Sequence, residues 1–522
     1  MRDLRPHPHG DREYGWVGSL SRRRAMLSPD RIAVKNTDTG ESYTYADLDR
    51  RANRTARFLD KRGIEAGDRI AAISRNRIEL VDLFFATGKL GAVFAPLSHR
   101  LAERELGAVI GDVDPELLLV EEPFENEVID ALERASIEPT VRSITCEDDS
   151  AWTAYRSELP ADGSPIDPVE VALSDPHLFL HTGGSTGVPK ETVISHGSIH
   201  WNSFNTITAW GLGDGEVTPM VFPMFHTGGW NVLTVPIFHM GGTILLSPEV
   251  DPGRILADVE SERATVLVAV PAVLRMMANH DRWDGTDLSS LRFVKSGGGP
   301  CREAVIRAWR DRGIEISQGY GLTECGPNNF AMPDEFPAER TDSVGMPALH
   351  VDVRVVDDEG DPVDSGEIGE LELAGPHAAD RYWNNPEETE ETFGRWVSTG
   401  DLARVDDEGY YHIEGRKKNM FISGGENVYP PQIEDAIADH EKVDEVVVIG
   451  VPDDRWGTVG MAVVQGDRSL TLSELETHLA TRVARFAIPK RLAFVDEMPT
   501  SGPSKIDREA IRDRFVDVTE EE

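Results

Sequence analysis

Residues 181–190, HTGGSTGVPK, bring three glycines, three hydroxyl side chains and a lysine into ten positions. Gly183, Gly184 and Gly187 open backbone conformations closed to residues with a Cβ. Thr182, Ser185 and Thr186 add hydroxyl donors, and successive amide groups in such a loop can wrap an anion. The pattern predicts a phosphate cradle, although the same run taken alone also suits a tight surface turn. Gly-Lys-Ser/Thr, the ending of the common phosphate loop, is missing. Lys190 follows Pro189 and precedes Glu191, which rejects a P-loop kinase and implies a different nucleotide-binding class.

Five further motifs follow in order: MFHTGGW at 224–230, QGYGLTECGP at 318–327, STGD at 398–401, GRKKNMFISGGENVYPPQIE at 415–434 and PTSGPSKIDR at 499–508. Each has an ordinary reading by itself. Glu324 suits a helix start, SGGGP at 296–300 a turn, and His226 a packed core position. Taken in this order, the motifs resemble the acyl- and aryl-CoA synthetase branch of the adenylate-forming superfamily, over nearly the whole chain.

The resemblance implies a two-step reaction. A carboxylate attacks the α-phosphate of Mg-ATP to give an acyl adenylate and pyrophosphate, and the thiol of coenzyme A then displaces AMP. Two anions meet in the first step, so donors and cations must neutralise both. By the resemblance, Thr182, Gly183, Gly184, Ser185, Thr186 and Gly187 hold the β- and γ-phosphates with Lys190 beside them. Thr323 contacts the α-phosphate and Glu324 holds Mg²⁺, a hard cation that takes oxygen ligands. Tyr320, Gly321, Gly297, Gly298 and Gly299 form an adenine slot, and Asp401 and Arg416 bind the ribose. Lys505 bridges carboxylate and α-phosphate, Lys418 is the hinge, Gly424 and Gly425 flank the pantetheine arm, and His226 and Trp230 line the acyl pocket. The chain departs from the family pattern in two places: Ser398 stands ahead of Thr-Gly-Asp, and Ser504 replaces the glycine usual before the C-terminal lysine.

The elements that must position these groups are also patterned. Across residues 31–98 short apolar strands alternate with helical stretches, which predicts a doubly wound parallel sheet. ELPADGSPIDPVEVALSDP reads as a linker before the phosphate loop, and strand–Gly loop–helix patterns resume after it. From about 343 to 414, alternating strands with Asp-Glu-Gly and Gly-Glu turns predict a small antiparallel β-barrel. The expected fold is therefore α/β: a large N-terminal domain over 1–414, a hinge at 415–418 and a mobile α+β C-terminal domain over 419–522. The tail includes a helix opened by a Thr471-x-x-Glu474 capping box.

A formal net charge of -39 disfavours nucleic acid and anionic membrane surfaces as partners. Lysine is scarce among the 53 basic residues, and with the excess of Asp and Glu this resembles proteins of salt-loving organisms. Three cysteines without metal-type spacing suit a reducing interior. With no signal-peptide core and no membrane-length apolar run, the chain is expected to be cytoplasmic. Its expected partners are a small-molecule carboxylic acid, ATP and CoA, with a homodimer left open. The acid is expected to be fatty or aryl: the Trp-rich block resembling acetate-restricted relatives is missing, and no spare cation marks the pocket motifs. The rival readings are an adenylating enzyme with a non-CoA acceptor and a catalytically silent binding protein. Intact Lys190, Glu324, Asp401 and Lys505 argue against the latter.

Overall fold

The structure, a computed structural model, describes residues 16–145, 150–167, 169–182, 189–333, 336–337, 340–423, 426–453, 456–500 and 506–516. Six strands form the first layer, in the spatial order Thr140–Ser143, Leu117–Val120, Arg69–Ile73, Val93–Leu97, Pro176–Thr182 and Lys190–Ser195. All neighbours are parallel except the last pair. Val93–Leu97 is buried at every position, as a parallel sheet covered on both faces requires. Alternate residues serve two cores. Ile70, Ala72 and Phe94 join the helices Tyr45–Asp60 and Ile78–Leu90, while Ala71, Val93 and Ala95 join Glu103–Val113 and Glu125–Ala135.

Ile32–Asn36 departs from the expected order. It pairs with Thr243–Leu246 in a second sheet, ordered Ser42–Thr44, Ile32–Asn36, Thr243–Leu246, Val217–Pro219, rather than with Arg69–Ile73. The return after Asn36 is too short for a crossover, so the chain folds back antiparallel into Ser42–Thr44. Thr44 then caps Tyr45–Asp60 in a reciprocal box with Asp47, and that helix carries the chain to the first sheet. The expected linker is a strap. Asn53 and Arg54 of that helix bond the carbonyls of Gly163 and Pro160.

A third sheet, parallel and three-stranded, holds Val266–Ala269, Phe293–Ser296 and Ile316–Gln318. The segment expected to be a small barrel is an antiparallel sheet of four strands, Asp352–Val356, Gly369–Ala374, Val397–Val405 and Tyr411–Arg416, each paired with the next. Beyond it lie the hairpin Phe421–Ser423/Glu426–Val428 and a sheet of Val443–Asp453, Gly457–Gly466 and Arg491–Phe494. Two apolar clusters, around Ile433 and Val447, draw only on residues from 421 onward. The Thr471–Glu474 capping box is present. Among the described residues no helix is long and apolar enough to cross a membrane.

Candidate active site

Strands Pro176–Thr182 and Lys190–Ser195 form a hairpin whose last cross-strand pairs are Thr182 with Lys190 and His181 with Glu191. The connecting residues 183–188, with the predicted Gly183, Gly184, Ser185, Thr186 and Gly187, lie outside the described residues. Antiparallel pairing right up to Thr182 and Lys190 anchors both ends of that loop. Lys190 is ion-paired with Glu388, and its Nζ lies 4.4 Å from the centroid of the Tyr382 ring. Partial burial lowers the Lys190 ammonium below the ordinary lysine value; Glu324 opposes this and Lys418 adds to it.

Tyr382 links this lysine to the predicted metal ligand. Its hydroxyl donates to Glu324 Oε1 at 2.7 Å. The segment around it extends the hairpin: Val193 N–H donates to the Arg381 carbonyl at 3.1 Å, and Trp383 N–H to the Glu191 carbonyl at 2.8 Å. Directly after it, Asn385 caps the helix Pro386–Thr392, accepting from Glu388 N–H and bringing that carboxylate to Lys190. Neither Tyr382 nor Glu388 was anticipated. The available signal was RYWNNPEE, an aromatic pair running into an Asn-Pro-Glu-Glu helix start.

Thr323 and Glu324 sit at the half-exposed tip of a folded loop. Asn329 N–H donates to the Tyr320 carbonyl at 3.1 Å and Leu322 N–H to the Gly326 carbonyl at 3.2 Å, drawing the two ends together. Gly321 permits this, because a Cβ there would stand 2.3 Å from the Pro327 backbone. The loop emerges from the carboxyl end of Ile316–Gln318, beside the ends of Phe293–Ser296 and Val266–Ala269. Ligands of open α/β sheets bind at that edge. Gly297, Gly298 and Gly299 follow it, and a Cβ on Gly297 or Gly299 would meet nothing within 4 Å, so the glycine run borders open space.

Asp401, though nearly buried, is held from two sides. Tyr320 donates to Oδ2 at 2.6 Å, and Arg416, its cross-strand partner, pairs with Oδ1 at 2.9 Å. Burial and the Asp401 charge together drive the Tyr320 phenol well above its usual value, so it remains a donor. Tyr320, Asp401 and Arg416 are thus brought together.

His226 packs beside Phe225 at 4.5 Å and His181 at 5.9 Å between ring centroids. Trp230 corrects an expectation. It is fully buried, stacked on Phe84 at 4.6 Å with its indole N–H donating to the Met224 carbonyl at 2.6 Å. It therefore belongs to the core beneath the MFHTGGW turn, not to a pocket wall. That turn includes a π-helical stretch, Gly228–Val232, a geometry frequent at functional sites. Lys418 lies in the turn Lys417–Asn419. Its neighbour Lys417 is exposed and pairs with Asp358 at 2.9 Å and Glu370 at 3.1 Å. Gly424, Gly425 and Lys505 lie outside the described residues.

At the end of the hairpin, Glu191 is 1% exposed and neither carboxyl oxygen has a hydrogen-bond partner; His181 Nδ1 is 3.9 Å away. Burial, reinforced by Asp112, pushes the Glu191 carboxyl up to about 8. Burial and His226 depress His181 to about 3. Both are neutral near pH 7. Among the described residues no cluster of three or more His, Cys, Asp or Glu could hold a metal ion. A lone Glu324 still suits Mg²⁺, which usually takes one or two carboxylates and completes its shell with phosphate oxygens and water.

Residues 21–383 match the AMP-binding enzyme family, and residues 432–505 match the AMP-binding enzyme C-terminal domain. The chain is 38% identical to a feruloyl-CoA synthase of Amycolatopsis sp, covering 96% of this chain and 99% of that protein. It is 35% identical to an indoleacetate–CoA ligase of Aromatoleum aromaticum, covering 94% and 96%. Among solved structures it resembles ATP-bound MatB from Rhodopseudomonas palustris, at 29% identity over 96% of this chain and 99% of that one, with a TM-score of 0.87. The apo form of the same protein, at equal identity and coverage, gives 0.76.

Proposed function

We propose, from the premise that the chain belongs to the AMP-binding enzyme family and is an ATP-dependent acid:CoA ligase working through an acyl adenylate, that its acid is aryl-substituted and that the groups around Tyr382 run the first step. The observation that carries the site reading is the Lys190–Tyr382–Glu324 bridge. It sets a cation at the foot of the phosphate loop and an oxygen ligand at the tip of the Thr323 loop. A triphosphate spanning the two would meet Lys190 and the loop amides at its β- and γ-phosphates, and Thr323 at its α-phosphate. Mg²⁺, when bound by Glu324, supplies charge neutralisation at phosphorus.

The remaining roles are read from the geometry where the residues are described and from the family resemblance elsewhere. Asp401 accepts from ribose hydroxyls, with Arg416 and Tyr320 holding the carboxylate in place. The open glycine run beside Tyr320 leaves a flat slot for adenine. His226, within the MFHTGGW turn, packs near His181 of the hairpin, where it would gate the acid. Lys505 is assigned the bridge between carboxylate and α-phosphate, Lys418 the hinge, Gly424 and Gly425 the thiol path, and residues 419–522 the mobile domain. An aryl acid is supported by the substrates for which the two relatives are named. Transfer to a non-CoA acceptor is the weaker reading. Pyrophosphate release with ATP, with and without CoA, across ferulic, indoleacetic, benzoic and decanoic acids tests the substrate class. Release with the aryl acids is expected; a preference for decanoic acid would overturn the aryl assignment.

A further inference from the structure

We propose that Glu445 is a positioning residue for adenylation, latching the C-terminal domain through Arg275 and Arg302 in the orientation in which acid and ATP react. The proposal rests on the reading above that residues 419–522 turn between the two half-reactions. Glu445 lies in the C-terminal strand Val443–Asp453. Its Oε2 accepts from Arg275 Nη1 at 3.3 Å and its Oε1 pairs with Arg302, which also donates to the Asp444 carbonyl at 3.3 Å. Arg275 belongs to the helix Pro271–Ala278, and Arg302 precedes Glu303–Arg310, immediately after the open glycine run and Cys301. Both helices follow strands of the sheet that carries the nucleotide slot. One carboxylate thus ties the small domain to two supports of that slot.

Two further observations favour that orientation. One face of the hairpin expected to lead to the CoA thiol is open to solvent: Ile422 is 56% exposed and Glu426 and Asn427 are exposed, while Ser423 and Val428 are buried against the C-terminal domain. The whole chain also overlays ATP-bound MatB better than apo MatB, 0.87 against 0.76, at the same identity and coverage. Exposed ion pairs contribute little to stability. A domain poised between two orientations, however, responds to any contact made in only one of them, and here two guanidinium groups share one partly covered carboxylate.

The test measures the half-reactions separately in the full-length protein: ATP–pyrophosphate exchange with ferulic or indoleacetic acid, and thioester formation from the corresponding presynthesised acyl adenylate and CoA. Glu445→Gln is expected to lower exchange about fivefold, the effect of losing an ion pair near the upper end of the surface range, and to leave thioester formation equal or faster. Arg275→Gln, which keeps the carboxylate, should shift the ratio the same way by less. Both half-reactions unchanged, or both falling in the same proportion at an unaltered melting temperature, overturns the latch. If the wild type catalyses no exchange with any acid, the ligase reading fails first and the latch falls with it.

Discussion

Tyr382 works at two edges at once, its ring under the Lys190 ammonium and its hydroxyl on Glu324. Tyr382→Phe keeps the ring and removes only the hydrogen bond to the carboxylate. Bonds to charged groups contribute about 1.5–3 kcal/mol, so adenylation should fall about tenfold or more at limiting Mg²⁺ and recover partly as Mg²⁺ is raised. A Mg²⁺ titration of ATP–pyrophosphate exchange checks this, and an unchanged titration curve would remove Tyr382 from the site. Glu191 makes a second prediction. Its native carboxyl is raised from 4.5 to about 8, so the native state holds a proton that the unfolded chain has released. Stability from this group is complete below pH 4.5 and is lost as pH rises through about 8. The melting temperature of Glu191→Gln should therefore gain on the wild type from pH 5 to 8 and keep a constant lead above that. A pH-independent difference would show that Glu191 is ionised in the native protein.

Among the elements, the 320–329 loop depends most on a single residue. Gly321→Ala would drive a Cβ into the Pro327 backbone, so the loop must open, with an expected loss of about 1–3 kcal/mol and of most adenylation activity. Thermal melting and exchange assays on the same preparation check it; full activity at native stability would contradict the geometry. Much at this scale was legible beforehand. The alternation of short apolar runs and helical patterns shows the α/β architecture, and the motifs point to Asp401 and Arg416 as neighbours, which cross-strand pairing makes them; that Tyr320 joins them through its hydroxyl was not legible. The partner of Ile32–Asn36 was not legible, because a five-residue apolar strand carries no mark of which sheet edge it will join and pairing is decided by distant Thr243–Leu246. Trp230 was misplaced for a related reason. An aromatic in a motif next to a site has the same one-letter signature whether it faces the pocket or, as here, Phe84 behind it. Tyr382 was missed because RYWNNPEE marks a helix start but not the strand addition at the hairpin edge from which the residue's role arises.

For the molecule as a whole, a net charge of -39 opposes compactness through self-repulsion. The Debye length falls from about 10 Å at 0.1 M salt to about 3 Å at 1 M. The melting temperature should therefore rise between 0.1 M and molar KCl, and a flat or falling curve would contradict adaptation to high salt. The central claim is the chemistry of the overall reaction, and product stoichiometry tests it most directly. With ATP, Mg²⁺, CoA and an aryl acid such as ferulic acid, chromatography of the nucleotides together with a pyrophosphate assay should yield AMP, pyrophosphate and acyl-CoA in equal amounts. ADP and orthophosphate appearing in step with the thioester would contradict it.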